Sequence, residues 1–372
     1  MARAMKNRLV RRGSTHPGAS AAARRDTGVW KIRRARGWQT VESLLLAKLD
    51  WLVHGFSTRL GGESLLNEKA ALNLGFTDWD ERARVAANRA KFVAALAASL
   101  MPLIALRQFH SDVIHVAAEP GEKALGANAL ATREPGLLLR VRTAEKRAIF
   151  VGRGFSHDKK APSPSGVLTP EVPDFDFSAA PKADALVTRA PGLLLAVQTA
   201  DCVPILLADT RHHAVAAIHA GWRGTLARIV VKTLGKMQME FGTRPRDVVA
   251  ALGPAIGRCC YEVGPEVAQA FAAQFPVAAD WFDGPFDQLA HGEEPLWLPW
   301  LTMMPPGHVP PPPRVQLDLR AANRWQLTDA GVPESKIAVS DLCTACRTDL
   351  LFSYRREGAK TGRMMAVIGV RE

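Results

Sequence analysis

Gly192-Leu-Leu-Leu-Ala-Val197, Ile205-Leu-Leu-Ala208 and Ala214-Val-Ala-Ala-Ile218 follow in close succession and decide the architecture. Each run is short and apolar, without the polar positions that alternate along a half-exposed strand. Each therefore reads as a strand covered on both faces. Arg211-His-His213 supplies the turn between the second and third runs. Gly221-Trp-Arg-Gly224 then breaks the sheet pattern, and Thr225 is read as the cap of a helix running towards Gly242. Val248–Leu252 gives a further strand before Gly253-Pro254. Outward from this centre, the pattern predicts a strand over Trp51–Phe56, an amphipathic helix over Asp80–Leu100 and extended chain over Ile104–Val116, with His110 in or beside it. Towards the other end it predicts a helix over Leu317–Ala330, a strand over Ile337–Ser340 and a closing strand over Met364–Val370. Helices and strands mix without a βαβ repeat, and no Gly-x-Gly-x-x-Gly or P-loop is present. The expectation is an α/β fold with a mixed sheet rather than a Rossmann arrangement.

The 372 residues, 47% of them hydrophobic, suffice for a sizeable core, and the 23% charged fraction is that of a globular chain. No apolar run reaches the roughly 20 residues of a membrane span, and the basic start lacks a following apolar stretch with a cleavage site. Five cysteines, an odd number, do not form a disulfide framework and fit a reducing, cytoplasmic setting. The net charge of +12 is unevenly placed. Residues 1–40 hold eleven Lys or Arg against Asp26 alone, leaving the body almost neutral. A nucleic-acid partner is thus expected only through that tail, if at all, because counterion release needs clustered cations. Residues 1–44 are read as a basic extension and residues 45–372 as one catalytic domain. Two insertions interrupt it, about 118–180 and about 280–314, the second ending in the polyproline stretch Pro310–Pro313.

Two polar segments are not demanded by packing. In Thr199-Ala-Asp-Cys-Val-Pro204 a cysteine stands at a strand end beside an acid and a proline-fixed turn. In His219-Ala-Gly-Trp-Arg-Gly-Thr225 a histidine stands where strand gives way to helix, and the glycines allow close approach to the backbone. One hairpin, Ile205–Ile218, separates Cys202 from His219 and would bring them together on adjacent strands. A thiolate with two imidazoles makes a zinc set with an open fourth position. Taken singly, however, Cys202 and His219 read equally as core residues. Asp201 reads either as a ligand-orienting group or as a turn cap. Cys343-Thr-Ala-Cys346 is a single Cys-x-x-Cys, and Cys259-Cys260 is too compact to complete a normal tetrahedral knuckle, so these four are read as packed free thiols. His212-His213 reads as an exposed pair able to take up adventitious copper.

The residues Ala183-Asp-Ala-Leu-Val-Thr188, Thr199-Ala-Asp-Cys202, Pro204 and His219-Ala-Gly-Trp-Arg-Gly224 strongly resemble the laccase-domain family. Its members were once called multicopper polyphenol oxidases and are now regarded as purine nucleoside phosphorylases. His54-Gly-Phe-Ser-Thr-Arg59, Asn73-Leu-Gly75, Gln108-Phe-His110, Leu252-Gly-Pro-Ala-Ile-Gly257, Tyr261-Glu-Val-Gly264, Cys343-Thr344 and Phe352-Ser-Tyr-Arg-Arg356 match in order, so the likeness spans about residues 50–370. Glu63 departs from the small or aliphatic residue usual there. The resemblance implies a layered α/β/β/α fold and zinc held by His110, Cys202 and His219. It also implies phosphorolysis of adenosine, inosine, guanosine and methylthioadenosine, with adenosine deamination as a side activity.

Within that reading Arg59, in a Ser57-Thr-Arg loop, is the first candidate for phosphate and Arg223 the second, since guanidinium offers a bidentate fork. Ser57 completes the expected substrate contacts. Tyr354-Arg355-Arg356 reads either as pocket-facing or as surface ion pairs. The rival from another reaction class is a Cys–His amidohydrolase acting on peptidoglycan precursors, a role held by some family members. A true copper laccase needs about ten His ligands, many in His-x-His pairs, whereas this chain has ten His in all and no such pair. The expected partners are purine nucleosides and phosphate, with a monomer favoured.

Overall fold

The structure is a computed structural model that describes residues 29–35, 38–117, 180–290 and 314–372. Among these residues the main strands form two six-stranded mixed sheets. The first runs in the order β1 (Trp30–Ala35), β2 (Trp38–Ser43), β3 (Leu52–Ser57), the closing strand Met364–Val370, the strand Leu194–Thr199 and Leu103–Ala105. The second runs Ile337–Val339, Val248–Leu252, Val203–Asp209, Ala214–Ala220, Ala185–Thr188 and Ile114–Val116. In each sheet the outer pair next to Leu103–Ala105, Ile114–Val116 or Ile337–Val339 is parallel and the central pairs are antiparallel.

Residue parity shows why the central strands read as unbroken apolar runs. Leu195, Val197, Ala366 and Ile368 of the first sheet pack with Leu206, Ala208, Val215 and Ala217 of the second, forming a core between the sheets. The alternate residues of the first sheet, Leu194, Ala196, Met365 and Val367, meet Phe92 and Val93 of the helix Arg82–Ala95. Those of the second, Ile205, Leu207, Ala216 and Ile218, meet Ile229, Leu234 and Met237 of the helix Ile229–Phe241 and Phe271 of the helix Pro265–Gln274. Every central strand is thus buried on both faces, and the layers are helix, sheet, sheet, helix. No helix among the described residues is long and apolar enough to cross a membrane.

Three expectations need correction. The first sheet already begins at Trp30, inside the stretch expected to be a basic extension over 1–44. Trp30 is buried and Ile32 packs on the core, while Lys31, Arg33 and Arg34 are exposed. Lys31 and Arg33, on the face opposite Trp30 and Ile32, hide an edge strand because they occupy its solvent side. Residues 1–28 lie outside the described residues. Second, the chain from 280 is not all insertion: Trp281, Phe282, Phe286 and Leu289 are core residues, and Phe282 pairs with Leu317. Residues 291–313, which include the polyproline stretch Pro310–Pro313, and residues 118–179 of the first expected insertion (about 118–180) lie outside the described residues. Third, the helix expected from Thr225 is two helices, Trp222–Leu226 and Ile229–Phe241, parted by Arg228 at φ +58°. Gly221 takes the capping position, and Thr225 is buried, accepting from Asn323 Nδ2 at 2.8 Å. Gly242 closes the second helix with φ +72°, the left-handed conformation that glycine adopts without strain.

Candidate active site

The antiparallel register sets Pro204 opposite His219, so Cys202, just ahead of its strand, lies beside that histidine at the sheet end. His110 comes from the loop between Leu103–Ala105 and Ile114–Val116. Its φ of +62° is a strained, left-handed backbone for a residue with a Cβ. Asp184 holds that conformation. Its Oδ2 accepts from the Ser111 N–H and Oγ–H, both at 2.6 Å, and from the Phe109 N–H at 3.3 Å, while Oδ1 accepts from the His110 N–H at 3.1 Å. The same Oδ1 accepts from His219 Nδ1–H at 2.8 Å. One fully buried carboxylate therefore shapes the His110 turn and fixes the His219 tautomer, leaving His219 Nε2 for the cleft.

Cys202 Sγ lies 3.8 Å from His110 Nε2, and the two imidazoles meet edge to face at 4.9 Å between centroids. All three ligand atoms fall within 4.8 Å of one another. Tetrahedral zinc with ordinary Zn–S and Zn–N bonds would separate S from N by about 3.5 Å, so the donors need only small shifts to share an ion. Gly221 closes the other side. A Cβ there would stand 3.0 Å from both Cys202 Sγ and His110 Cδ2. Burial would raise the Cys202 thiol, but the facing His219 and His110 outweigh it and hold the thiol at about 6. Burial would likewise lower His219, yet the Cys202 thiolate and Asp184 raise it to about 9. Asp184 itself is held at about 2, because the His219 and Ser111 donors overcome its burial. The corner is a preformed anionic set of soft and imidazole donors able to hold a divalent metal.

Cations and aromatic rings surround it. Burial pushes the Tyr261 hydroxyl up, the Cys202 and Asp201 charges add to this, and Arg355 and Arg223 oppose it. Arg363, lowered by burial, feels Tyr354, Cys202 and Asp201. Arg355 lies over the Tyr261 ring at 5.2 Å and Arg363 over that of Tyr354 at 5.8 Å. Arg355 Nη1 also donates to the Glu262 carbonyl at 2.9 Å. Its neighbour Arg356 turns away to the carbonyl of Ala345 at 3.1 Å. Asp201, at φ +100°, ties loops together: Oδ1 accepts from Thr344 Oγ1–H at 2.6 Å and Oδ2 from the Arg355 N–H at 2.7 Å.

The model of the multi-copper polyphenol oxidoreductase laccase family matches residues 53–153 and 165–371. The chain belongs to that family. A relative named purine nucleoside phosphorylase YlmD, from Geobacillus stearothermophilus, is 32% identical over 340 residues, 91% of this chain and 97% of its own length. A purine nucleoside phosphorylase of Bacteroides thetaiotaomicron is 42% identical over 185 residues, a match that spans 50% of this chain and only 60% of that protein. Among solved structures, YfiH of Bacillus licheniformis shares 28% identity at a TM-score of 0.65, covering 91% of this chain and 99% of the other.

Several family-inspired expectations change in three dimensions. Arg59 is committed elsewhere. Its Nη1 donates to the Thr348 carbonyl and to Glu357, both at 2.7 Å, and its guanidinium stacks on Phe352 at 4.7 Å. Through these contacts it anchors the 348–357 segment. Ser57 is buried in the first sheet, where its Oγ accepts from the Met365 N–H at 2.9 Å. Arg223 remains exposed, stacked on neighbouring Trp222 at 4.3 Å, within electrostatic reach of Tyr261. The His212-His213 pair is divided: His212 Nδ1 binds Asp209 at 2.9 Å and His213 stacks on Trp51. The aberrant Glu63 pairs with Lys91. Asp184, Tyr261 and Arg363 were missed as site residues. Asp184 stood within a quoted motif, but nothing in its spacing announced that it would reach both His110 and His219.

Proposed function

We propose that the protein is a zinc-dependent purine nucleoside phosphorylase, cleaving adenosine, inosine, guanosine and methylthioadenosine with phosphate and deaminating adenosine as a side reaction. The observation that carries this reading is the convergence of His110, Cys202 and His219 within 4.8 Å, with Arg363 within electrostatic reach of Cys202 and Arg223 and Arg355 within that of Tyr261. The near full-length likeness to a protein named purine nucleoside phosphorylase supports it, as does 40% identity over 181 residues to one named adenosine deaminase RL5, a match covering 59% of that protein. Zinc bound by the three donors supplies Lewis-acid polarisation of a substrate oxygen. The residues do the rest. Asp184 keeps His219 in one tautomer and the His110 turn in its strained shape, so no reorganisation is needed when substrate arrives. Arg223, the exposed cation of the rim, receives phosphate, and the rings of Tyr261 and Tyr354 offer faces for the purine. Phosphate oxygen attacks the anomeric carbon, the glycosidic C–N bond breaks, and its electron pair leaves with the base.

One observation favours a second reading. A thiol held at about 6 beside an imidazole 3.8 Å away also suits a Cys–His amidohydrolase acting on peptidoglycan precursors. The two readings separate when metal-stripped, zinc-reloaded protein is given inosine or adenosine with and without phosphate. Formation of ribose 1-phosphate only with phosphate is the expected result. No turnover of any nucleoside, with amino-acid release from a muramyl peptide, would overturn the proposal.

A further inference from the structure

A second convergence of donors lies away from the His110–Cys202–His219 corner. Val248–Leu252 and Ile337–Val339 are parallel neighbours, and the bridge between Ala255 and Cys343 continues their pairing beyond the sheet. The loops leaving both strands therefore emerge side by side. One carries Cys259-Cys260 and the other Cys343-Thr-Ala-Cys346. A tight turn, in which the Cys260 and Tyr261 N–H groups both donate to the Gly257 carbonyl at 2.9 and 3.0 Å, brings the adjacent cysteines towards the second loop. Cys346 Sγ lies 3.6 Å from Cys259 Sγ and 3.4 Å from Cys260 Sγ, and all four sulfurs fall within 4.8 Å of one another.

We propose that Cys259, Cys260, Cys343 and Cys346 form a closed, structural four-thiolate site for a soft divalent ion of the zinc class. Three observations support it. The edge of a ZnS4 tetrahedron, with Zn–S bonds near 2.3 Å, is about 3.8 Å, close to the separations present. A disulfide would bring sulfurs to about 2.05 Å, and all five cysteines are free. Hydrogen-bond donors also reach two of the sulfurs. The Gly257 N–H donates to Cys343 Sγ at 3.2 Å, the Cys346 N–H does the same, and Arg356 Nη2 stands 3.7 Å from Cys260 Sγ. One backbone amide from each loop thus points at the first sulfur of the Cys-x-x-Cys, the kind of outer hydrogen bond that supports a bound thiolate. Soft thiolates select zinc-like ions over hard ones, and four protein ligands leave no position for substrate.

The site sits behind the catalytic corner. Ile256, between the two loops' roots, donates its N–H to the Asp201 carbonyl at 2.8 Å, and Thr344, inside the Cys-x-x-Cys, donates to the Asp201 carboxylate. Asp201 precedes Cys202. An ion joining the loops would hold that turn in register without touching substrate.

The test counts zinc in full-length protein and reads the spectrum after Co2+ exchange. Wild type should hold two equivalents, Cys202→Ala one, and Cys346→Ser one. The cobalt form of Cys202→Ala, with four thiolates on its ion, should show thiolate-to-metal charge transfer several-fold more intense than that of Cys346→Ser, whose remaining site offers one thiolate. Because Cys346 is exposed, Ser there should fold, and the wild-type count decides the matter independently if it does not. A single equivalent lost in Cys202→Ala but kept in Cys346→Ser would overturn the proposal. So would a disulfide joining Cys346 to Cys259 or Cys260 in freshly prepared protein. A single equivalent kept in Cys202→Ala and lost in Cys346→Ser would sustain this site while removing the metal from the catalytic one.

Discussion

His219 and His54 are both buried strand residues, 4% and 8% exposed, yet their surroundings drive them in opposite directions. Among the described residues His54, on the first sheet, is paired with the Ser43 N–H, which donates to its Nε2 at 3.1 Å. Burial dominates there and lowers it to about 4, a neutral imidazole serving as an acceptor within the sheet. His219, on the second sheet, has Asp184 on one nitrogen and faces the Cys202 thiolate, and it is raised to about 9. Burial alone says nothing about a histidine's role. What decides it is whether the partner supplied is an N–H or an anion, and the second sheet supplies two anions where its strands end.

The comparison can be broken most sharply by removing an anion. Cys202→Ala should lower nucleoside turnover by roughly 10³-fold or more, the scale expected for removing part of a catalytic unit. It should also bring the His219 titration, followed by NMR on metal-free protein, back towards neutrality. Unchanged turnover would show that the corner is structural. The next largest effect lies on the other histidine. Its folded pKa is below the unfolded value of 6.5, so between those values the unfolded chain binds the proton and the native state does not. Stability should therefore fall as pH drops from about 6.5 to about 4, by about 3 kcal/mol at most from this group. His54→Gln, which keeps an acceptor but cannot titrate, should flatten that part of a denaturation-versus-pH curve. An unaltered slope would place the acid sensitivity elsewhere.

Asp184→Asn should weaken metal retention and activity by roughly 10- to 100-fold, the range for losing a group that orients a ligand. Zinc affinity equal to wild type would show that His219 needs no orienting anion. Arg223→Ala should raise the KM for phosphate about tenfold, as loss of one charged hydrogen bond would, with the KM for nucleoside little changed. An equal rise for both substrates would mean that the arginine shapes the pocket rather than receiving the anion.

The strands at the centre were legible because burial on both faces leaves an unbroken apolar run, as in Leu194–Thr199 and Ala214–Ala220. The edge strands were not. Trp30–Ala35 shows its cations to solvent and so looks like a tail. The hairpin joining Cys202 to His219 could be drawn from local sequence, and His110 joined them only through family resemblance. Arg59 shows how little a residue type fixes by itself. A guanidinium in a polar loop suits phosphate and suits carbonyls equally, and here Thr348 and Glu357 claim it.

By itself, then, the sequence determined the double-sided strands, the concentration of charge in the first forty residues, and the two polar breaks that carry Cys202 and His219. Tertiary structure alone decided which groups face one another. Asp184 meets His110 and His219 across separations of 74 and 35 residues, and Cys346 meets Cys259 across 87. Such encounters depend on strand order and register, which only the packing of the two sheets fixes, because local preferences carry no record of distant partners. The same packing sets the dielectric and the neighbouring charges, and with them whether a buried histidine is a neutral acceptor or one member of a charged pair.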